Sequence, residues 1–355
     1  MTRLPRRGAR ENPGNRFERL RLEADAEFLE AVRASGEELP AAATQLIADA
    51  SRSLLSHNDS PDVPFDSSLN PYRGCEHGCI YCYARPTHEY LGYSLGLDFE
   101  TKILFKPEAA ALLRKALASP RWRPQVVAIG GVTDPYQPAE QRLRITRQCL
   151  EVFAEFRNPV TVVTKSALVV RDADLLAALA AHGAALVFVS ITSLDRELQR
   201  RLEPRASPPE QRLEAVRRLC AAGVPVGVLL APVIPGLNDH EIPRIVERAA
   251  AAGACAVRHV MLRLPHGLAD LFERWLEQHY PERKAKIWSR IRAVRGGRAS
   301  DPRFHSRMRG EGVFAEQVEQ LLALACRRAG LAQSRAPLSS AAFRRPSDPQ
   351  LGLFG

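Results

Sequence analysis

Long apolar runs are missing from this 355-residue sequence: charged residues interrupt every apolar stretch before it reaches 18 residues. A membrane-spanning helix needs about 20 such residues, so no span is expected. The opening Met1-Thr-Arg-Leu-Pro-Arg-Arg7 also lacks the apolar stretch of a secretory signal, and the expected setting is the cytoplasm. Acidic residues are in deficit, 40 Asp and Glu against 50 Lys and Arg, for a formal net charge of +10. An even set of cysteines is absent as well. There are seven, and an odd count without a secretory signal argues against a disulfide framework. What is present is a globular composition, 45% hydrophobic and 25% charged, able to bury the core of one large domain with appendages or of two domains.

The positive charge is uneven. Residues 1–20 hold six Arg against two Glu, and residues 283–310 hold ten Lys and Arg against the single Asp301. Outside these two stretches the chain is close to neutral overall, although 327–345 adds five more Arg. Concentrated charge of one sign suggests a polyanion such as nucleic acid as partner; a solvated basic surface is the plainer explanation.

Three of the seven cysteines fall within eight residues, Cys75, Cys79 and Cys82, spaced C-x3-C-x2-C. The other four, Cys149, Cys220, Cys255 and Cys326, stand alone in apolar surroundings and read as small buried hydrophobes. A structural zinc site needs a fourth ligand, for which His77 and His88 are near enough in sequence. The alternative is an iron–sulfur cluster held by three thiolates, with one iron left open to a small molecule. Gly74 and Gly78 permit the backbone angles that such wrapping requires, and Tyr81 supplies an aromatic wall.

The segment Ser68-Leu-Asn-Pro-Tyr-Arg-Gly-Cys75-Glu-His-Gly-Cys79-Ile-Tyr-Cys82-Tyr resembles the signature of radical S-adenosylmethionine (SAM) enzymes, including the aromatic residue before the last cysteine. From about residue 60 to 260 the chain is similar to the branch that contains spore photoproduct lyase. The resemblance implies a [4Fe–4S] cluster on Cys75, Cys79 and Cys82, SAM on the open iron, and an external one-electron donor. It implies one-electron cleavage of SAM to methionine and a 5′-deoxyadenosyl radical that abstracts hydrogen from an unreactive carbon.

Beyond the cysteines, strand and helix patterns alternate. Strand-like runs occur at 67–72, 126–130, 160–164, 185–192, 224–231 and 255–262, with helical patterns at 106–118, 139–156, 172–182, 208–222 and 239–252. Such alternation implies a parallel sheet. Six units make the fold class α/β, a partial (βα)6 TIM-like barrel with an N-terminal arm and a helical C-terminal extension. The expected divisions are a basic extension over 1–60, the barrel over 61–262, a basic helical region over 263–331 and a disordered tail over 332–355. Helices are expected around Leu268–Tyr280, Arg283–Val294 and Val313–Ala329.

Ligands of such folds gather at the carboxyl ends of the strands. There the sequence places Gly130-Gly-Val-Thr-Asp-Pro-Tyr136, Thr164-Lys-Ser166, Ser190-Ile-Thr192, Arg201-Leu-Glu-Pro-Arg-Ala206 and Pro232-Val-Ile-Pro-Gly-Leu-Asn-Asp239. By resemblance, Gly130, Gly131 and Thr133 receive the methionine amino group, and Lys165 lies in the same site. Ser190 and Thr192 are placed to hydrogen-bond the ribose or the carboxylate, and Arg205 to pair with the carboxylate. Tyr81 completes the cofactor contacts. The backbone before Asn238 flanks adenine; capping of the following helix explains Asn238 equally well.

One departure matters. Spore photoproduct lyase carries a hydrogen-donating cysteine just before the element matching Thr133, where this chain has Gly130, Gly131 and Val132. Its quenching step therefore does not carry over. The expected activity is a radical reaction on DNA or RNA. A radical reaction on a protein or small molecule is the alternative within the enzyme class, and a non-catalytic zinc and nucleic-acid binder the alternative outside it. The chain ends in Gln350-Leu-Gly-Leu-Phe354, where Gln350, Leu351, Leu353 and Phe354 resemble a motif that docks on the sliding clamp.

Overall fold

The computed structural model describes residues 7–18, 42–331 and 337–346. Its strands are β1 (Gln45–Ala48), β2 (Leu55–His57), β3 (Ser67–Leu69), β4 (Tyr72–Arg73), β5 (Lys102–Phe105), β6 (Val127–Ile129), β7 (Val160–Thr164), β8 (Ala185–Ser190), β9 (Val226–Val233) and β10 (Ala256–Met261). The longer helices are α1 (Ala109–Ala118), α2 (Ile145–Phe156), α3 (Ala173–Ala180), α4 (Arg196–Leu202), α5 (Pro209–Ala221), α6 (Ile242–Ala251), α7 (Leu268–His279), α8 (Pro281–Ala293) and α9 (Val313–Arg328).

The main sheet runs β10-β9-β8-β7-β6-β3-β2. Strands β3 and β6 to β10 are mutually parallel, and β2 closes the edge antiparallel to β3. These six parallel strands are the six expected units, and the α/β partial barrel is the fold observed. Parallel strands with helices on one side and a filled interior on the other read as near-continuous β-branched runs. Val160, Val162, Val187, Val189, Val226 and Val228 are accordingly buried completely. Helix α6 shows the matching pattern: Ile242, Ile245, Val246 and Ala249 fall on one stripe and are buried.

Three features go beyond the sequence reading. A small second sheet, β1-β5-β4, holds the stretch that carries the cysteines. The single helix expected over 139–156 breaks at Arg144, whose φ is +54°. The buried Glu140 carboxylate explains the break: it accepts the backbone amides of Thr146 and Arg147, and so caps α2 from outside. The third is α4, whose amides at Glu197 and Leu198 are capped by the Asp195 side chain.

The expected disordered tail needs correction over 337–346. This stretch is docked: the Ser339 amide donates to the Gly183 carbonyl, the Arg344 amide to Phe156, and the Phe343 ring lies 6.3 Å from that of Phe156. Low hydrophobicity hid an anchor in which the Arg344 and Arg345 side chains donate to the carbonyls of Glu155, Ser119 and Trp122 beside these backbone bonds, partners that residue type does not reveal. The clamp-like Gln350, Leu351, Leu353 and Phe354 lie outside the described residues. Among the described residues, no helix is long and apolar enough to cross a membrane.

Candidate functional site

Strand β4 pairs with β5 and delivers the chain into the three-cysteine loop. Gly74 (φ +78°) leaves no room for a side chain, since a Cβ would sit 3.0 Å from the carbonyls of Phe99 and Lys102. Gly78 (φ +67°) packs on the Glu100 carboxylate, where a Cβ would meet oxygen at 2.6 Å. The loop is fixed by backbone bonds from Cys75 to the Phe99 carbonyl (2.8 Å) and from Ile80 to Leu202 (3.0 Å). Behind it lies a fully buried ion pair, Arg85 with Glu100 at 2.6 Å. Arg85 also donates to the carbonyls of Gly78, Cys79, Leu95 and Gly96, while Glu100 accepts the amides of Gly8 and Ala9. The described part of the N-terminal arm is thus a strap laid against the back of the loop. From the other side the helical C-terminal region closes in: Ile80 and Tyr81 share one apolar cluster with Leu202, Leu262, Phe272, Trp275 and Trp288.

Cys75 and Cys79 are buried and Cys82 is half-buried. Burial pushes all three thiols up; for Cys75, Asp134 and the other two thiols add to it. Thiols held this close and this dry stay protonated until a cationic centre binds them as thiolates. The donor set is three soft sulfurs on one loop, the set that suits an iron–sulfur cluster. The histidines of the zinc alternative have other neighbours. His77 turns its Nδ1 to Asp134 at 3.2 Å, and His88 is packed between Tyr93 and Phe99, 5.3 and 5.5 Å between ring centroids. No group of three or more His, Cys, Asp or Glu side chains among the described residues is arranged around a single metal-ion position.

The carboxyl ends of the parallel strands face this loop. Gly130 (φ +93°) is dictated by the sheet itself, because a Cβ would lie 2.3 Å from the Val163 carbonyl; Gly131 opens onto free space. Thr133 donates its hydroxyl to the Tyr72 carbonyl (3.0 Å), so it ties β4 to the β6 loop. Lys165 sits with its ammonium 5.8 Å from the Tyr81 ring centroid, and no carboxylate among the described residues lies within ion-pair distance of it. The buried Ser190 hydroxyl lacks a hydrogen-bond partner.

Thr192, Tyr81 and Arg205 are less open than the sequence suggested. Tyr81 and Thr192 both direct their hydroxyls to Glu203, a buried carboxylate that also pairs with the buried Arg212. Arg212 in turn donates to the carbonyls of Ser190 and Ser207. Arg205 faces the Glu76 carboxylate at 3.3 Å. Asn238 does not cap its helix by its side chain; it is buried and bridges the Ile234 amide to the carbonyls of Thr192 and Pro232.

The sequence reading missed Glu203, Arg212 and Asp134 as organisers of the site. Asp134 accepts from Thr164 (2.7 Å) and the amides of Lys165 (2.7 Å) and Tyr136 (2.9 Å), and its carboxylate lies 3.2 Å from His77 Nδ1. Burial alone raises its pKa, yet His77 and these hydrogen bonds outweigh burial and hold it down to about 2. An acid in the loop that follows a strand was the available signal for Asp134. For Glu203 and Arg212, nine residues apart, nothing in the pattern marks them as partners.

The model of the radical SAM superfamily matches residues 69–249, from β3 through α6. This chain belongs to the radical SAM superfamily. An uncharacterized protein of Mycobacterium tuberculosis is 39% identical over 222 residues, 62% of this chain; the chain spans 65% of that relative's length. A radical SAM Nα-GlyT isomerase of Pseudomonas phage M6 is 26% identical over 220 residues, 60% of this chain and 43% of that protein. In fold, a structure of spore photoproduct lyase complexed with dinucleoside spore photoproduct superposes with a TM-score of 0.54, at 16% identity, over 85% of this chain and 91% of that one. The family implies a [4Fe–4S] cluster and SAM. Cys75, Cys79 and Cys82 are the residues that fit the cluster. Near it, Gly131 has open space on its Cβ side, Lys165 lies by the Tyr81 ring, and the Ser190 hydroxyl has no hydrogen-bond partner.

Proposed function

We propose that this enzyme performs a hydrogen abstraction on nucleic acid, in repair or modification. The fold likeness to spore photoproduct lyase complexed with dinucleoside spore photoproduct supports the reading, because it runs over 85% of this chain and well past the family segment. When bound, the cluster and SAM supply a 5′-deoxyadenosyl radical at the cost of one electron from an external donor. The chain's own residues prepare the place. Lys165 offers a point charge for the SAM carboxylate. Gly130, Gly131 and Thr133 present backbone and hydroxyl to its amino end, and Ser190 holds an unused hydroxyl. Glu203 fixes Tyr81 and Thr192, so that the ring of Tyr81 stays against the cluster loop. Arg205, next to Glu76, is near enough to exchange that partner for a ligand carboxylate. The apolar cluster of the C-terminal helices keeps water from the loop.

The lyase reaction itself is not proposed. Gly130, Gly131 and Val132 stand ahead of Thr133, and the other cysteines lie on outer helices or ahead of β10. Delivery to DNA through Gln350, Leu351, Leu353 and Phe354 on a sliding clamp belongs to the same reading. The test is anaerobic reconstitution to about four irons per chain, reduction, and measurement of 5′-deoxyadenosine with and without single-stranded DNA, duplex DNA and RNA. Stimulation by one of these is expected. Turnover indifferent to all three, with binding insensitive to salt, moves the substrate to a protein or small molecule.

A further inference from the structure

Strand β10 ends in a register shift between His259 and Met261, and the chain then enters the mouth of the barrel at Arg263. Its backbone is held firmly. The buried Arg295 guanidinium donates to the carbonyls of Met261 and Leu262 and to that of Ser306. The Arg263 side chain, by contrast, has little to hold. Its guanidinium carbon lies 5.0 Å over the ring of Tyr83, the residue after Cys82, and Nη1 points at the Met308 sulfur at 3.4 Å, a weak acceptor. Among the described residues no carboxylate lies within ion-pair distance.

A second arginine nearby makes the contrast. Arg307 also lies over an aromatic ring, that of Phe304 at 4.5 Å, yet it is paired with the buried Asp62 and with Ser60. Asp62 also accepts the His305 amide. Burial chiefly lowers the pKa of Arg263, and repulsion from Arg307 and the buried Arg295 acts in the same direction, while Tyr83 covers one face and Asp62 is already engaged. A half-buried cation without an acid costs free energy that an anion entering from the mouth would offset. The surroundings suit a flat ligand as well as a charged one. Tyr83 is 45% exposed with its hydroxyl tied to the Gly131 carbonyl, and Val132 is exposed beside it. A fixed ring with an arginine across it is a stacking platform.

From this geometry we infer that Arg263 is a substrate subsite for a phosphate group, with Tyr83 offering its ring to the adjoining base. The inference deepens the nucleic-acid reading and rests on it only for the source of the phosphate. Arg263 holds the backbone of the strand while the nucleotide beside it enters the barrel. Planar guanidinium donors match phosphate oxygens bidentately; of the two mouth cations without a carboxylate partner among the described residues, Lys165 is assigned to SAM, which leaves Arg263 for the phosphate.

The test compares the reconstituted enzyme with Arg263→Gln and Arg263→Lys, after confirming equal iron content. Binding of a fluorescent single-stranded oligonucleotide is measured against salt. Arg263→Gln is expected to weaken binding about tenfold and to reduce the salt slope by about 0.7. Arg263→Lys is expected to restore the slope but only part of the affinity. In a second arm, orthophosphate is tested for protection of Arg263 against phenylglyoxal, read by peptide mass spectrometry. Unchanged affinity and slope in Arg263→Gln overturn the subsite. Protection by orthophosphate in an enzyme that binds no oligonucleotide supports the subsite and overturns the nucleic-acid source. Neither binding nor protection overturns both.

Discussion

The three-cysteine loop and the basic stretch 283–310 stood out equally in the sequence, and the structure treats them in opposite ways. In the loop, polar side chains are spent on fixing the backbone from behind, while the thiols are left in one buried place. In the basic stretch the charge is consumed. Arg303 pairs with Asp301 and Glu311, Arg307 with Asp62, Lys284 with Glu273, Arg290 with Asp239 and Arg309 with Glu319. Arg283 donates to the Gly236 carbonyl, Arg292 lies over Trp288, and Arg295 is buried on main-chain carbonyls. Only Lys286 and Arg298 are exposed there without a side-chain partner among the described residues. Cysteines at fixed spacing keep their meaning after folding, because the chemistry belongs to the set. Net charge does not, because each cation can find its anion inside the fold.

That contrast can be broken in stages. The largest effect is expected from Cys79→Ala, which removes a thiolate from the set: cluster absorbance and SAM cleavage are lost together, while circular dichroism shows the barrel intact. Retained iron at wild-type level would contradict the ligand assignment. Next comes Glu203→Gln, which leaves Arg212 buried opposite a neutral amide. Uncompensated buried charge costs about 3–5 kcal/mol, so thermal unfolding falls markedly; an unchanged Tm would show that the network with Tyr81 and Thr192 is incidental.

A smaller, pH-dependent effect separates a core histidine from a ligand. Burial chiefly depresses the pKa of His88 to about 4. The unfolded chain takes up this proton near pH 6.5 and the folded chain does not until about pH 4. Stability is therefore complete above pH 6.5 and declines as pH falls toward 4, by about 3 kcal/mol from this group alone. Replacing it, His88→Phe, is expected to flatten the unfolding profile across that window without altering iron content. A profile as steep as wild type would assign the acid sensitivity to other groups. The smallest effect is expected from the double change Lys286→Gln with Arg298→Gln. It leaves folding and cluster content alone and lowers the salt slope of oligonucleotide binding by no more than about two contacts. A collapse of binding in this variant would return the basic stretch to the centre of recognition.

Much of the architecture was legible beforehand because parallel strands buried on both faces write themselves as apolar runs, and amphipathic helices as stripes. Runs such as Val160-Thr-Val-Val-Thr164 carried that signal unaided. The break at Arg144 was not legible, since it depends on the Glu140 side chain capping a helix from outside its own register. The strap at Gly8 and Ala9 was hidden for a related reason: its bonds are made by backbone amides to Glu100, about ninety positions away.

By itself the sequence determined that three cysteines lie on one glycine-flanked loop and that six parallel strands alternate with helices around it, because spacing and hydrophobic period are local properties. Only the tertiary structure decided which polar groups remain free to act. Pairing spent Arg307, Arg212 and Glu203, and left Lys165 and Arg263 without a carboxylate and the Ser190 hydroxyl without a hydrogen-bond partner among the described residues. Pairing depends on which side chains the fold brings within a few ångströms, and no count along the chain contains that distance.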